Sequence, residues 1–222
     1  GINQIQVSEK TGMTFAKGLR SILRHDPDVI LVGEIRDSET ASIAVQASLT
    51  GHLVFSTLHT NDSPGALTRL VDMGVEPYLV SSSVEAILAQ RLVRVLCPHC
   101  KERLPAAAWR DLPPGIRAAC GEEVFSPVGC AHCRETGFHG RHAVFELMMM
   151  TDEIRALTQA RQPVTDIRKA AQRNGWLPLC DDGWRLVRAG MTTPTEVLRV
   201  ARDTADPEFT TSLRATDNEA AP

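Results

Sequence analysis

The 222-residue chain contains no apolar run long enough to cross a bilayer, and no basic start followed by an apolar centre of the kind that directs export. The reading from sequence is therefore a soluble, intracellular chain. Aromatic residues are scarce, with 3 Trp, 1 Tyr and 6 Phe, and no stretch interleaves them with basic residues. That argues against the stacking platforms that bind single-stranded nucleic acid. Strong net charge is also missing. The formal total is −3, of which the last twenty residues carry −4, so the remainder stands at +1 and sets up no field for a polyanion. An initiator methionine is lacking too: the chain opens on Gly1 to Val7, an alternating segment that reads as a strand entered midway. It is expected to be a piece of a longer protein.

What is present begins with 43% hydrophobic residues, enough for one ordinary core and a smaller appended unit. The organising stretch is Asp26 to Asp37, DPDVILVGEIRD. Its four aliphatic residues, Val29 to Val32, suit a strand buried on both faces of a parallel sheet. Gly33 would end that strand. Ligands of open α/β sheets sit beyond the carboxyl ends of strands, which puts Glu34 where a carboxylate meets substrate. A plainer reading is that Glu34 only pairs with Arg36 at a surface turn.

Before this strand, Thr14 to Arg24 places Phe15, Leu19, Ile22 and Leu23 on one helical stripe and Arg20 and Arg24 on the other face. After it, Ser38 to Leu49 reads as a helix stopped by Gly51, then His52 to Thr57 as a second buried strand ending in the polar turn Leu58 to Asp62. Ser63 and Pro64 read as cap and first turn of a helix closing at Gly74. Apolar positions Val80, Val84, Ile87, Leu88, Leu92 and Val95 predict one long helix from about Pro77 to Leu96. Strand, polar tip and helix repeating in this way indicate a mainly parallel α/β sheet whose successive tips carry Glu34 and His59.

The character changes at Cys97. Residues 97–147 are rich in Pro, Gly and Cys without a sustained helical period and read as a separate small domain. Residues 148–202 return to helices: Glu153 to Arg161, Val164 to Asn174, Cys180 to Ala189, and a last one opened by the capping box Thr193-Pro194-Thr195-Glu196. Residues 203–222 are polar and acidic and are expected to be disordered.

Four of the six cysteines form two C-x-x-C knuckles, Cys97-Pro98-His99-Cys100 and Cys130-Ala131-His132-Cys133, separated by 29 residues. Each can present two thiolates to one tetrahedral ion while the intervening loop folds over, so a closed structural zinc site is expected. Two unconnected thiol pairs are the alternative. His99 and His132 could substitute as ligands, but four sulfurs already fill the shell. Cys120 and Cys180 read as buried thiols.

The strand tips supply the groups that nucleotide hydrolysis requires: a carboxylate to activate or orient water, cations against phosphates, and a polar sensor. Glu34 would be the carboxylate, Arg20, Arg24 and Arg36 the cations, and His59 with Thr57 the sensor. Singly, each has a blander reading: His52 and His59 as structural histidines, the arginines as solubilising. The phosphate-cradling G-x-x-x-x-G-K-[ST] loop occurs nowhere in these residues, so the chain alone should bind nucleotide feebly.

Gly18 to Asp37 (GLRSILRHDPDVILVGEIRD), Leu49 to Ser63 (LTGHLVFSTLHTNDS) and Leu88 to Cys100 (LAQRLVRVLCPHC) resemble the Walker B box, histidine box and start of the metal domain of the type II secretion ATPases, the E proteins. The resemblance continues through Thr136 to Leu147 and Gly190 to Val200. It implies a RecA-like P-loop NTPase core lacking its amino-terminal part over residues 1–96, a tetracysteine zinc domain over 97–147 and a helical subdomain over 148–202. It further implies a cytoplasmic homo-hexamer using ATP and Mg2+, docked through partner proteins on the inner-membrane secretion platform, without direct nucleic-acid binding. Position by position, Glu34 matches the catalytic glutamate and His59 the histidine-box residue near the terminal phosphate. Arg20 and Arg24 match arginines near the phosphates, and Cys97, Cys100, Cys130 and Cys133 match the metal site. The Walker A loop and aspartate box of the family are not in this sequence. A type IV pilus assembly ATPase shares these boxes; a zinc-ribbon binding module on an inactive α/β remnant, or a piece that caps the hexamer of intact relatives, are the other readings.

Overall fold

The computed structural model describes residues 1–201; the acidic tail expected to be disordered lies outside the described residues. In chain order the elements are α1 (Phe15–Ile22), β1 (Val29–Val32), α2 (Ser38–Leu49), β2 (Leu53–Ser56), α3 (Ser63–Asp72), α4 (Pro77–Ser83), β3 (Ala86–Leu96), β4 (Glu102–Arg103), α5 (Ala106–Asp111), α6 (Pro114–Cys120), β5 (Phe125–Ser126), β6 (Phe138–Met149), α7 (Asp152–Gln159), α8 (Val164–Arg173), α9 (Leu179–Arg188) and α10 (Pro194–Val200). They form two compact units made of interleaved segments. One holds Gly1–Ile87 and Met148–Trp176; the other holds Leu88–Leu147 and the chain from Leu177.

In the first unit β1 and β2 pair in parallel, from Val29 opposite Leu53 to Val32 opposite Ser56, with α2 as the connection. Ile30, Val32 and Ile35 enter the core with Ala41, Ala44 and Val45 of α2. The expected burial of β1 on both faces is corrected: Val29 is 57% and Leu31 73% exposed, because among the described residues this sheet has only two strands and its second face carries no layer. Residues 1–7, expected as a strand, contain none; Ser8 and Met13 make an isolated bridge. Farther along, α7 lies against α4, and α8 against α7 and α3.

The predicted long helix over Pro77 to Leu96 is also corrected. It is a short helix, α4, followed by the eleven-residue strand β3, which pairs with β6. Bonds from Cys97 N to Gly137 O at one end and Met150 N to Glu85 O at the other make the pair antiparallel. The apolar positions satisfy both a 3.6 and a 2.0 period, and pairing with β6 selects the second. At the switch Arg155 of α7 donates to the carbonyls of Ser81 and Val84, the latter at 3.0 Å, which supplies partners to carbonyls left open where α4 stops.

The second unit has its own core, in which Val93, Val144, Leu179, Trp184, Leu186 and Leu198 are buried. Thr193 caps α10 by accepting from Glu196 N at 3.2 Å, as expected. The Glu196 carboxylate is engaged differently from a capping box. It accepts Arg94 Nη2 at 2.6 Å and Arg94 N at 3.1 Å, with Arg199 Nη2 at 2.9 Å, and is 2% exposed. Burial pushes this carboxyl up, but the bonds from Arg94 and Arg199 outweigh it and bring the group down to about 2.

Because the folded value lies below the ordinary 4.5, the stabilisation is complete above pH 4.5 and is lost as pH falls toward 2. Its ceiling is about 3 kcal/mol. Urea unfolding of wild type and Glu196→Gln should therefore differ by up to that amount at pH 7, and the difference should shrink as pH falls from 4.5 toward 2. A gap that stays constant across this range would contradict the assignment.

Candidate active site and metal centre

Glu34 follows Gly33 at the carboxyl end of β1, and Thr57 follows the last residue of β2. The parallel pairing continues past both strands: Ile35 N donates to Thr57 O at 3.0 Å and Thr57 Oγ1 to Gly33 O at 2.8 Å. This clamps the two tips together and fixes where Glu34 and His59 emerge. Glu34 Oε2 then takes Arg36 Nε at 2.7 Å and lies 3.1 Å from His59 Nε2. The hydrogen bond with His59, followed by that from Arg36, holds the Glu34 carboxyl below its usual range, so it is an anion at neutral pH. The imidazole and guanidinium are themselves largely exposed. A carboxylate, an imidazole and a guanidinium thus converge at the rim of a parallel sheet, where each can turn toward an incoming ligand.

The structure brings Glu34, Arg36, His59 and Thr57 together. It places Arg20 elsewhere: from α1 its Nη2 reaches Glu39 Oε1 of α2 at 2.8 Å. Arg24 is exposed on the single 3-10 turn Leu23–His25 that follows α1. His52 takes the structural role open to it, its Nδ1 lying 3.0 Å from Ala47 O at the end of α2. The cap of α3 is Asp62 and not Ser63: Asp62 Oδ1 accepts from Gly65 N at 2.9 Å, while Oδ2 pairs with Arg168 Nη2 of α8. Sequence reasoning passed over Asp62 and Arg168. The cap pattern before Ser63-Pro64 was a usable signal for Asp62; a partner 106 positions away had none.

The four knuckle cysteines converge in the second unit. Their sulfurs all lie within 4.8 Å of one another. The sulfurs are 3.9 Å apart between Cys97 and Cys130, 3.8 Å between Cys100 and Cys133, and 3.8 Å between Cys130 and Cys133. A tetrahedron with metal–sulfur bonds of about 2.3 Å has edges of about 3.8 Å, so these residues fit a zinc ion.

Backbone N–H groups also point at the sulfurs: Gly129 at Cys100 from 3.4 Å, and Cys130 and Gly137 at Cys133 from 3.2 Å. Burial pushes the Cys133 thiol up, but the Cys130 and Gly137 amides and the adjoining thiols bring it down to about 6. At Cys100 burial prevails and the thiol stands at about 12. Gly137, at φ +73°, leaves no room for a side chain, since a Cβ there would sit 2.4 Å from Cβ of Pro127. His99 and His132 stack on each other with centroids 4.1 Å apart, outside the sulfur shell. Cys120 and Cys180 are buried, and burial pushes each up to about 12. They are inert thiols.

Among known proteins, the family model described as type II/IV secretion system protein matches residues 1–199. Type II secretion system protein E of Pseudomonas aeruginosa is 52% identical over 203 residues, which cover 91% of this chain and 40% of the relative. Type IV pilus assembly ATPase TfpB of Acinetobacter baylyi is 46% identical over 200 residues, covering 89% of this chain and 34% of the relative. Among solved structures, the pilus retraction motor PilT with bound ADP superposes with a TM-score of 0.63 at 27% identity, covering 93% of this chain and 48% of that one. The chain thus spans about two-fifths or less of the curated relatives it matches. Parallel strands with a carboxylate and an imidazole at their tips, together with four converging thiols, are the α/β architecture of a RecA-like P-loop NTPase core joined to a tetracysteine unit. On the match over residues 1–199, the chain belongs to the type II/IV secretion system protein family.

Proposed function

We propose that the chain is the carboxy-terminal part of a cytoplasmic hexameric ATPase that hydrolyses Mg2+–ATP to drive type II protein secretion from the inner-membrane face, through partner proteins of the secretion platform. The observation that carries this reading is the Glu34 carboxylate at the end of β1, shared by His59 and Arg36. Glu34 orients and deprotonates the attacking water. His59 and Thr57 register the terminal phosphate, and Arg36 offsets charge beside it. Arg20 and Arg24, on the exposed side of α1 and its following turn, serve phosphates, at least one of them across a subunit boundary. Phosphate-cradling groups beyond those of this chain are required, since the glycine-rich lysine loop is not among its residues. Cys97, Cys100, Cys130 and Cys133 would hold zinc, which supplies cross-linking and no chemistry.

A pilus assembly role has independent support, because the TfpB ATPase is nearly as similar as protein E. Complementation of strains lacking one or the other motor separates the two. For the chemistry, the full-length protein should release phosphate from ATP in the presence of Mg2+. In it, His59→Ala should lower kcat about tenfold or more while KM for ATP shifts less than about threefold. A full-length protein without ATP turnover would overturn the reading, and an unchanged kcat in the variant would remove His59 from it.

A further inference from the structure

We infer that Arg168, on α8, is a positioning residue for His59, acting through Asp62; this rests on the proposed ATPase role of His59. His59 is 75% exposed at its side chain, so its place at Glu34 depends on how the turn Leu58 to Asp62 is held at both ends. The leading end is fixed by Thr57, bonded to β1 through Ile35 N and Gly33 O. The trailing end is fixed by Asp62, only 5% exposed, whose two carboxylate oxygens have separate partners. Oδ1 caps α3 through Gly65 N at 2.9 Å, and Oδ2 takes Arg168 Nη2. Glycine at residue 65 lets this cap form undisturbed, since a Cβ there would lie 2.6 Å from Asp62 Oδ1 and push it aside. Thr60 Oγ1 donates to Asp62 O at 3.2 Å, so the turn between His59 and Asp62 is braced internally.

A displacement at Asp62 therefore reaches His59 across the two residues between them, Thr60 and Asn61, in a braced turn. Arg168 ties this turn to a helix encoded more than a hundred residues downstream. Removing the guanidinium leaves a buried carboxylate with its charge unpaired, and the turn relaxes toward water to solvate it. His59 then samples positions away from Glu34, and misplacement of a catalytic group by about 1 Å costs up to a hundredfold in rate.

The test is ATP turnover by the full-length protein carrying Arg168→Ala or Asp62→Asn, alone and combined with His59→Ala. Asp62→Asn keeps an oxygen to cap α3 but faces Arg168 with a donor or a neutral acceptor, so it breaks the tie with the fold preserved. Each single change should lower kcat about tenfold or more with KM for ATP within about threefold. Arg168→Lys should restore part of the loss. In the His59→Ala background, neither change should lower kcat further. Arg168→Ala and Asp62→Asn that reduce kcat by the same factor with His59 present and absent would overturn the positioning role alone, leaving His59 in place. A His59→Ala protein with normal kcat would instead overturn the underlying role of His59, and the inference with it.

Discussion

Cys130→Ser in the full-length protein is expected to abolish zinc retention, taking bound metal from about one ion per chain to less than a tenth, and to destabilise the unit around it by more than about 3 kcal/mol. The size of the effect follows from what the thiolates replace. Cys97–Cys100 and Cys130–Cys133 close a loop that holds two short helices, α5 and α6, and whose strand pairing is slight, since β4 and β5 pair over only two residues, Glu102 with Ser126 and Arg103 with Phe125. Amide donors point at both Cys100 and Cys133; they favour the thiolate at Cys133, whereas burial outweighs them at Cys100, so a cation is needed to hold the full set as thiolates.

Loss of one ligand leaves the remaining sulfurs to protonate or repel. Trp184, Leu186 and Leu198 of α9 and α10 also pack with Val93 and Val144, outside the loop, so these helices should remain helical while the knuckles open and the contacts of Ile116 and Val124 weaken. Metal analysis, urea unfolding followed by circular dichroism, and sizing of the oligomer check this together. A metal-free variant with normal oligomers and normal ATP turnover would contradict the structural role.

Where a decision was local, it could be read in the chain. Helix α2 occupies Ser38–Leu49 as expected because small apolar residues run between Asp37, which caps it, and Gly51, which ends it at φ +100°. The knuckles were legible because C-x-x-C spacing admits few other uses, and the convergence of Glu34 with His59 because parallel strands end on the same side.

Where distant segments decided, the chain misled. Leu88 and Leu92 sit on the helical stripe of the expected Pro77 to Leu96 helix, yet they are 59% and 44% exposed, while Val93 is fully buried. β6 imposes that alternation from some fifty residues downstream, and most of β6 lies in the stretch 97–147, which reads from sequence only as a small domain without a sustained helical period. Its FHGRHAVFELMM buries Val144, Glu146 and Met148 in strict alternation, but its first half is polar and hides the period. Glu196 fitted a local capping box, and the bonds from Arg94 redirected it. Asp62 and Arg168 are each ordinary for their places, a helix cap and a helix surface; only the tertiary fold makes them a pair.

Glu34→Gln tests the proposed catalytic base. Glutamine is nearly isosteric and keeps an oxygen that can accept from Arg36 or His59, so the clamp between the tips of β1 and β2 should persist. What disappears is the anion that accepts a proton from water and draws the imidazole and guanidinium toward one oxygen. Nucleotide affinity should change less than about threefold, because in the proposed role Glu34 serves the attacking water and not the groups that bind the phosphates. Turnover should fall by about a hundredfold to a thousandfold, the range expected when a positioned base is removed.

The most direct measurement is therefore phosphate release and ATP binding on the same preparation of full-length Glu34→Gln, with wild type alongside. Near-normal binding with turnover reduced at least a hundredfold is the expected result. Turnover within a fewfold of wild type would take Glu34 out of the base role and leave the Glu34, His59 and Arg36 cluster as a structural ion group.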